Sequence, residues 1–297
     1  MVRSPLSIVQ LQERPTRLIF GIVGAATVLV LVSVLGALAL MLQAARQVDR
    51  TDTAEDIALV GRTMSRTLDR MERELTSATM WDDAYEAIAE SVDAPWADIN
   101  FAVYYRDQFD HDLTFAVRSD KVIYASRDGV RTSVEALGGF PAATRRYAAE
   151  ISDEARAARD AGRLSSAREV NRTGLLQVDG VIYLVALASV TAETAAVAAG
   201  YQGPPAVVVT ARRLDAAFVR QFAADLGFSG LALLDRPRGD GPSATLTDMD
   251  GRPVGALVWS PQNPGLSLIR SIAPWIVIGF IVLAGAGAVL IDRKSVV

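Results

Sequence analysis

The sequence predicts an α+β domain that is flanked by two transmembrane helices. Two long uncharged apolar runs lie near the chain ends, at residues 18–42 and 272–291. A helical repeat of apolar residues follows the first run, and short β-rich runs separated by turn residues begin near residue 112. A change from helical to strand periodicity along one segment is typical of helices packed on a sheet.

Both apolar runs are long enough to cross a membrane. A spanning helix needs about 20 apolar residues at about 1.5 Å per residue. Neither run contains a charged residue, each of which would cost about 2.5–3.5 kcal/mol at the centre of the bilayer. A cleaved signal peptide is the alternative for the first run, but its apolar core would have only about 7–15 residues. The length of the run favours a retained anchor.

The basic residues beside the two runs predict the orientation. The tails carry Arg3, Arg14 and Arg17 on one side and Arg293 and Lys294 on the other. The positive-inside rule places both tails in the cytoplasm. We therefore expect a protein of the inner (plasma) membrane with two spans, cytoplasmic termini and a periplasmic central domain.

The composition excludes several function classes. The chain has 30 Lys plus Arg and 34 Asp plus Glu, a net charge of −4. The segment between the runs has 25 Lys plus Arg and 32 Asp plus Glu, a net charge of −7. This argues against a nucleic-acid partner, because such binding needs cations against phosphates. The chain has no cysteine, so cysteine-based metal sites and nucleophiles are excluded.

A long amphipathic helix is predicted at residues 44–80, directly after the first run. Apolar or small residues recur there at heptad spacing, on two seam positions. The stripe packs either on its own domain or on a second copy of the chain, and both can hold along different parts of the helix. The two seams contain Ile57, Met64, Met71 and Ala78, and Ala54, Gly61, Leu68 and Leu75.

The next part of the chain predicts a five-stranded antiparallel sheet with helices on one face, an α+β arrangement of the PAS-like kind. The hairpin turns are Ser119-Asp120 and Asp179-Gly180, the second being the stronger signal because Asp-Gly suits a type I′ turn. The predicted helices are 81–88 and 142–161, with a helix or turn at 96–108, and the predicted strands are 113–118, 121–126, 175–178, 181–190 and 206–211.

A smaller membrane-proximal subdomain is predicted after the main sheet. A helix at 214–226 and a strand at 231–234 precede a hairpin, whose strands at 244–247 and 254–260 flank Asp250-Gly251. Residues 261–265 then lead into the second apolar run. This subdomain would connect the sheet to the membrane.

No catalytic constellation is recognisable in the sequence. It contains no nucleophile elbow, zinc-protease motif, Walker loop or dinucleotide fingerprint, so we predict neither an enzyme nor a cofactor. His111 stands between Asp110 and Asp112, but three consecutive residues do not converge readily on one ion and the chain has no second histidine. A turn before a strand is predicted there, with no metal site.

A ligand pocket is expected beside the helix at 81–88, where a PAS-like sheet would be concave. Trp81 and Tyr85 are four residues apart and would share a helix face. The alternatives are packing alone for these aromatic residues, and helix capping or N-terminal charge for Asp82 and Asp83. The candidate ligand-binding residues are Trp81, Asp82, Asp83, Tyr85, Asn100, Phe115 and Tyr124.

Three stretches resemble a known family: residues 81–86 (WDDAYE), Trp96 with Asn100-Phe101, and residues 112–129. They are similar to the fourth type of CHASE extracellular sensory domain, and residues 246–265 also fit it. The resemblance implies a PAS-like or Cache-like ligand-sensing fold in the periplasm. It also implies cytoplasmic GGDEF and EAL domains, which make and break cyclic di-GMP, or sometimes a histidine kinase.

From these observations we expect a signal-input module that binds an unidentified small molecule and acts as a homodimer. It would regulate cyclic di-GMP turnover through an output domain or partner outside this chain. The alternative is a membrane-anchored periplasmic domain that binds another protein.

The expected domain organisation of the chain is a cytoplasmic tail at 1–17, a span at 18–43, a sensory domain at 44–270, a span at 271–291 and a cytoplasmic stub at 292–297 without an output domain. Within the sensory domain we expect a helix at 44–80, the main sheet domain at 81–212 and the subdomain at 213–265.

Overall fold

The computed structural model describes residues 14–163, 170–237 and 241–294, with side chains from residue 24 to residue 282 and at 285. The predicted tail segments 1–13 and 295–297 lie outside the described residues. The chain divides into two compact units. The terminal unit contains both chain ends, up to Glu55 and from Gln262, and the central unit is Asp56–Pro261.

Helix α1 spans Arg14–Thr79 without interruption, a length of 66 residues. It confirms the predicted helix at 44–80 and joins it to the first apolar run. The predicted stripe packs on its own domain only near the end of this helix, because Ile57 is 40% exposed whereas the stripe is buried from Met64 onward. The buried residues on this face are Val60, Met64, Met71 and Leu75.

Short helices follow α1 where the sequence predicts them. The break between them forms because the Asp93 side chain accepts a hydrogen bond from the backbone N–H of Trp96, with Pro95 in the first helical turn. This is the usual capping chemistry of a helix N-terminus. The segments are α2 (Asp82–Ile88), α3 (Ala94–Ala97), a π-helical segment (Asp98–Val103) and α4 (Tyr104–Phe109).

The main sheet of the described residues has six antiparallel strands in the order β3-β2-β1-β6-β5-β4. Both predicted hairpin turns are confirmed, with positive φ at Ser119, Asp120, Asp179 and Gly180 as a type I′ turn requires. The prediction of five strands missed β3, since two residues are too short to show a period. The strands are β1 (Leu113–Arg118), β2 (Lys121–Arg127), β3 (Val130–Arg131), β4 (Asn171–Val178), β5 (Val181–Ser189) and β6 (Val207–Arg213).

Helices cover both faces of this sheet, so the prediction of helices on one face was wrong. Helix α5 (Phe140–Asp160) packs on one face, whereas α1 and α2 lie over the other. Strand β5 shows the reason, because it is buried continuously from Ile182 to Ser189. A continuous apolar strand is typical of a sheet covered on both sides.

The segment after β6 folds as predicted, into a helix and a second sheet. Helix α7 (Ala216–Leu226) follows β6, and three strands form a sheet in the order β7-β9-β8. They belong to the same compact unit as the main sheet. The short helix α6 (Ala195–Ala198) interrupts the loop before β6, and the added strands are β7 (Ala232–Leu234), β8 (Ser243–Thr247) and β9 (Pro253–Val258).

The terminal unit contains the other long helix, α8 (Pro264–Lys294). Two helices are long and apolar enough to cross a membrane, with mean hydropathy of 2.6 for the stretch within Gly24–Thr79 and 1.9 within Pro264–Val282. These apolar stretches are 0% and 6% buried. They therefore differ from the core helices of a soluble protein, and they correspond to the two predicted spans.

Candidate functional site

Trp81 does not share a buried helix face with Tyr85, contrary to the sequence-based interpretation. Trp81 has an extended backbone (φ −132°, ψ 138°) because α2 begins one residue later, and its side chain is 48% exposed. Tyr85 lies inside the helix and is 5% exposed. Its hydroxyl donates to the carbonyl oxygen of Tyr201 at 2.8 Å. Only Tyr85 therefore packs as predicted.

The two aspartates of α2 have different surroundings. Asp82 Oδ1 accepts hydrogen bonds from the backbone N–H groups of Glu193 (2.7 Å) and Thr194 (3.0 Å), which fixes the loop before α6. Asp83 is exposed. Both carboxylates lie in the first turn of α2, where negative charge stabilises a helix. Asp82 thus has a structural role in holding a loop.

Phe115 and Tyr124 lie on opposite faces of the main sheet. Phe115 pairs with Ala125, whereas Tyr124 pairs with Ala116, so alternation sends the two rings in opposite directions. Phe115 packs against Phe140 at 6.4 Å between ring centroids, in the core under α5. The structure therefore does not bring the predicted ligand residues together in one cavity.

Tyr124 and Asn100 make polar contacts near the π-helical segment. The Tyr124 hydroxyl donates to Asp98 Oδ1 at 3.1 Å, and burial together with this carboxylate raises the pKa of Tyr124 far above its ordinary value. The Asn100 side chain donates to the carbonyl oxygen of Trp96 in α3, four residues earlier, at 2.9 Å. A ligand role for these residues stays a prediction.

A buried polar cluster forms around His111, the chain's single histidine. His111 is 2% exposed, and its ring stacks on Tyr105 with 5.3 Å between centroids. Its Nδ1 lies 2.8 Å from Thr210 Oγ1, and its Nε2 lies 3.3 Å from Glu74 Oε2. The predicted turn is confirmed, since Asp110 adopts a left-handed conformation at the end of α4 (φ 59°). His111 thus links β6 to α1.

Glu74 connects this cluster to Arg70, one turn earlier on α1. Arg70 Nε donates to Glu74 Oε1 at 2.6 Å. Burial alone would raise the pKa of Glu74, but the hydrogen bonds and charges of His111 and Arg70 outweigh it, so its pKa lies below the ordinary value. The Tyr105 hydroxyl donates to the carbonyl oxygen of Leu75 at 3.3 Å. These contacts hold the end of α1 against the sheet.

A cavity of about 240 Å³ opens between α1 and α7, beside the His111 cluster. Such a volume is somewhat below the usual range of small-molecule sites, about 300–1,000 Å³, and suits a small ligand. Among the described residues, no group of three or more His, Asp or Glu side chains could hold a metal. The cavity combines aromatic walls with polar and charged groups. The walls include Phe109, Phe218 and Phe222, and the polar and charged groups include Glu74, His111 and Arg212.

Little in the sequence indicates this cavity. Thr210 lies 99 positions after His111, so no local motif joins them. The only available signals were a lone histidine flanked by carboxylates and the apolar stripe of α7. The residues that line the cavity include hydrogen-bond donors, acceptors and apolar surface, the combination that small-molecule sites use.

The family model described as the CHASE4 domain matches residues 63–234, more than half of the 297-residue chain. The chain belongs to the CHASE4 family. The match confirms the resemblance inferred from residues 81–129. It includes the end of α1 (residues 63–79), the whole main sheet, α7 and the His111 cluster, so the CHASE4 domain contains every residue that lines the cavity between α1 and α7.

A search of solved structures matches the CHASE4 chain to the crystal structure of the periplasmic domain of Vibrio cholerae LuxQ. The two chains share 14% sequence identity with a TM-score of 0.46, and the match covers 70% of this chain and 98% of the LuxQ domain. No curated protein matches the chain.

Proposed function

We propose that this CHASE4 protein is a membrane-anchored, periplasmic ligand-sensing module of a bacterial transmembrane receptor. The observation that carries the proposal is the continuity of α1. One helix contains the first apolar stretch, enters the CHASE4 domain and lines a cavity with Arg70 and Glu74. A ligand that contacts α1 differently in two arrangements would shift their populations and move this helix.

The cavity between α1 and α7, rather than the seven residues predicted from the sequence, is the ligand site we propose. Its charged groups come from α1, β6 and α7, His111 comes from the loop after α4, and its aromatic walls come mainly from α7. Small-molecule sites generally combine apolar walls with a few convergent polar groups. Occupation of the cavity would fix α1 relative to the sheet.

The finer features of the receptor also belong to this proposal. The basic flanks support cytoplasmic termini, a periplasmic central unit and an inner-membrane location. The antiparallel sheet supports the PAS-like or Cache-like assignment. Ile57 and the exposed Ala54 and Gly61 leave the first half of the heptad seam of α1 open, which supports a homodimer. The family resemblance supports regulation of cyclic di-GMP turnover through an output domain or partner.

The second candidate function, binding of another protein, is favoured by a group of exposed apolar residues at the β3 edge of the main sheet. Ile99 is 64% exposed, Val103 47% and Val130 68%. The first two belong to the π-helical segment and the third to the edge strand β3, which contacts that segment. Exposed strand edges are common sites of pairing with another chain.

The test is a thermal-shift screen of the full chain in detergent against small metabolites, followed by calorimetry. A ligand of the cavity should bind Arg212→Gln at least tenfold more weakly, about 1.4 kcal/mol. Arg220→Gln is the matched control, since Arg220 is an exposed residue of α7 outside the cavity lining. Undiminished binding by Arg212→Gln would place the site elsewhere. The absence of any binding metabolite would favour the protein-binding function.

A further inference from the structure

The start of α8 is capped by a residue of α1. Asp49 Oδ1 accepts from the backbone N–H of Gly265 at 2.7 Å, and Asp49 Oδ2 accepts from that of Leu266 at 3.3 Å. The first N–H groups of a helix have no partner within it and carry partial positive charge. A residue just before the helix normally supplies this cap. Here the other long helix supplies it, so the cap also ties two helices together.

Gly265 permits a close approach between the same two helices. A Cβ atom at this position would lie 2.8 Å from Ala45 Cα and would collide with the Ala45 carbonyl oxygen. Ala45 is 6% exposed and lies one turn before Asp49, on the same face of α1. Backbone atoms cannot move aside as a flexible side chain can. Only glycine therefore fits at this crossing.

Within the central unit, α1 holds the end of the chain segment that leads to α8. Trp259 Nε1 donates to Asp56 Oδ2 at 3.4 Å. Trp259 is 5% exposed and stacks on Phe228 with 5.1 Å between ring centroids, so it is anchored in the core. Asp56 is seven residues after Asp49, which places both aspartates on one face of α1.

We infer that Asp49, Gly265 and the Ala45 backbone form a clasp that fixes the start of α8 to α1 within the terminal unit. Allosteric helix shifts are commonly about 1–2 Å. A shift of that size between these helices would break the hydrogen bonds to Asp49 and drive Gly265 against Ala45. If the protein is the receptor proposed above, a signal therefore leaves the domain as a joint movement of both spans, without sliding of one span past the other in a subunit.

The clasp can be tested by distance measurement, because the chain has no native cysteine. Spin labels at Leu40→Cys and Leu268→Cys, which are 69% and 59% exposed, report on the two helices in lipid nanodiscs. We expect one narrow distance distribution for this parent protein. Asp49→Ala and Gly265→Val should each broaden it or shift it by more than 2 Å. Gly279→Ala is the matched control, since a Cβ there meets nothing within 4 Å.

A second label pair separates loosening of the clasp from general damage to the fold. Labels at the exposed positions Arg62 and Arg220, in the central unit, should give the same distance with and without Asp49→Ala. A change in this pair as large as that between the helices would reduce Asp49 to a general structural role and overturn the inference.

Two further outcomes would also overturn it. One is a Leu40–Leu268 distribution that is already broad in the parent protein or unchanged in both clasp variants. The other is a shift of more than 2 Å in the parent protein when a metabolite that binds the cavity is added. Neither outcome affects the proposed function, because metabolite binding is measured independently by calorimetry on the unlabelled chain.

Discussion

At the residue scale, several polar side chains of the domain contact residues that are far away in the sequence. Asp82 fixes the loop before α6, and Asp112 accepts a hydrogen bond from the backbone N–H of Arg213 at 2.5 Å. The buried His111 faces the partly buried Glu74, with 3.3 Å between Nε2 and Oε2. Because buried charge is costly unless it is paired, such pairs make stability depend on pH.

Glu74 should contribute stability that is lost in acid. Its pKa is lower in the folded chain than the ordinary value of about 4.3, so its contribution is fully present above that value and falls as pH drops through the folded pKa. Melting temperatures of wild type and Glu74→Gln between pH 3 and 7 measure this. The difference between the two should shrink toward pH 3. Glu86→Gln, an exposed change on α2, is the control, and a difference independent of pH would contradict the prediction.

Tyr85 and Trp81 should respond very differently to truncation. Tyr85→Ala removes a buried ring and should cost about 3–5 kcal/mol in the free energy of unfolding. Trp81→Ala removes a half-exposed ring and should cost less than about 1 kcal/mol. Urea unfolding of both variants measures the two costs. Equal costs would show that Trp81 is buried in solution.

At the element scale, short helices are positioned by caps and by residues from distant strands. Arg118 of β1 donates to the carbonyl oxygens of Ile88 (2.9 Å) and Ala89, at the end of α2. Asp215 begins α7 by accepting from the N–H groups of Ala217 (2.8 Å) and Phe218 (2.9 Å). Since Phe218 lines the cavity, this cap also positions a wall of the proposed site.

Loss of the α7 cap should weaken both the helix and the site. Asp215→Ala should destabilise the domain by about 1 kcal/mol, whereas Asp215→Asn should keep most of the stability, because asparagine caps nearly as well. Chemical unfolding measures the difference, and hydrogen exchange should show faster exchange in the first turn of α7. Equal stability of Asp215→Ala and wild type would show that the cap contributes nothing.

At the scale of the whole molecule, the apolar ends and the central unit predict a fixed topology. The basic flanks favour cytoplasmic termini, and an even number of spans is consistent with this proposed orientation. The central unit would then face the periplasm, where a sensory domain meets extracellular ligands.

Enzyme fusions test this topology directly. Alkaline phosphatase fused after Gly138, in the central unit, should be active, because the enzyme requires export. Fusion after Lys294 should leave it inactive. Expression levels measured by immunoblot are the control. The reverse pattern of activity would invert the orientation.

The sequence by itself determined what depends on neighbouring residues. The length of the two apolar runs predicted the two long helices. Asp93 and Pro95 separated α2 from α3, and Asp179-Gly180 produced a hairpin through its local backbone preference. Family identity could also be predicted, since the stretch from Trp81 to Gly129 is contiguous.

The tertiary structure decided what depends on residues far apart in the chain. It covered the sheet on both faces, turned Phe115 away from Tyr124, and exposed Trp81 because α2 begins one residue later than expected. It also placed His111 against Thr210 and Glu74, and Asp49 against Gly265. These contacts join residues from different elements, and their geometry is set by strand register and helix packing, which no local pattern encodes.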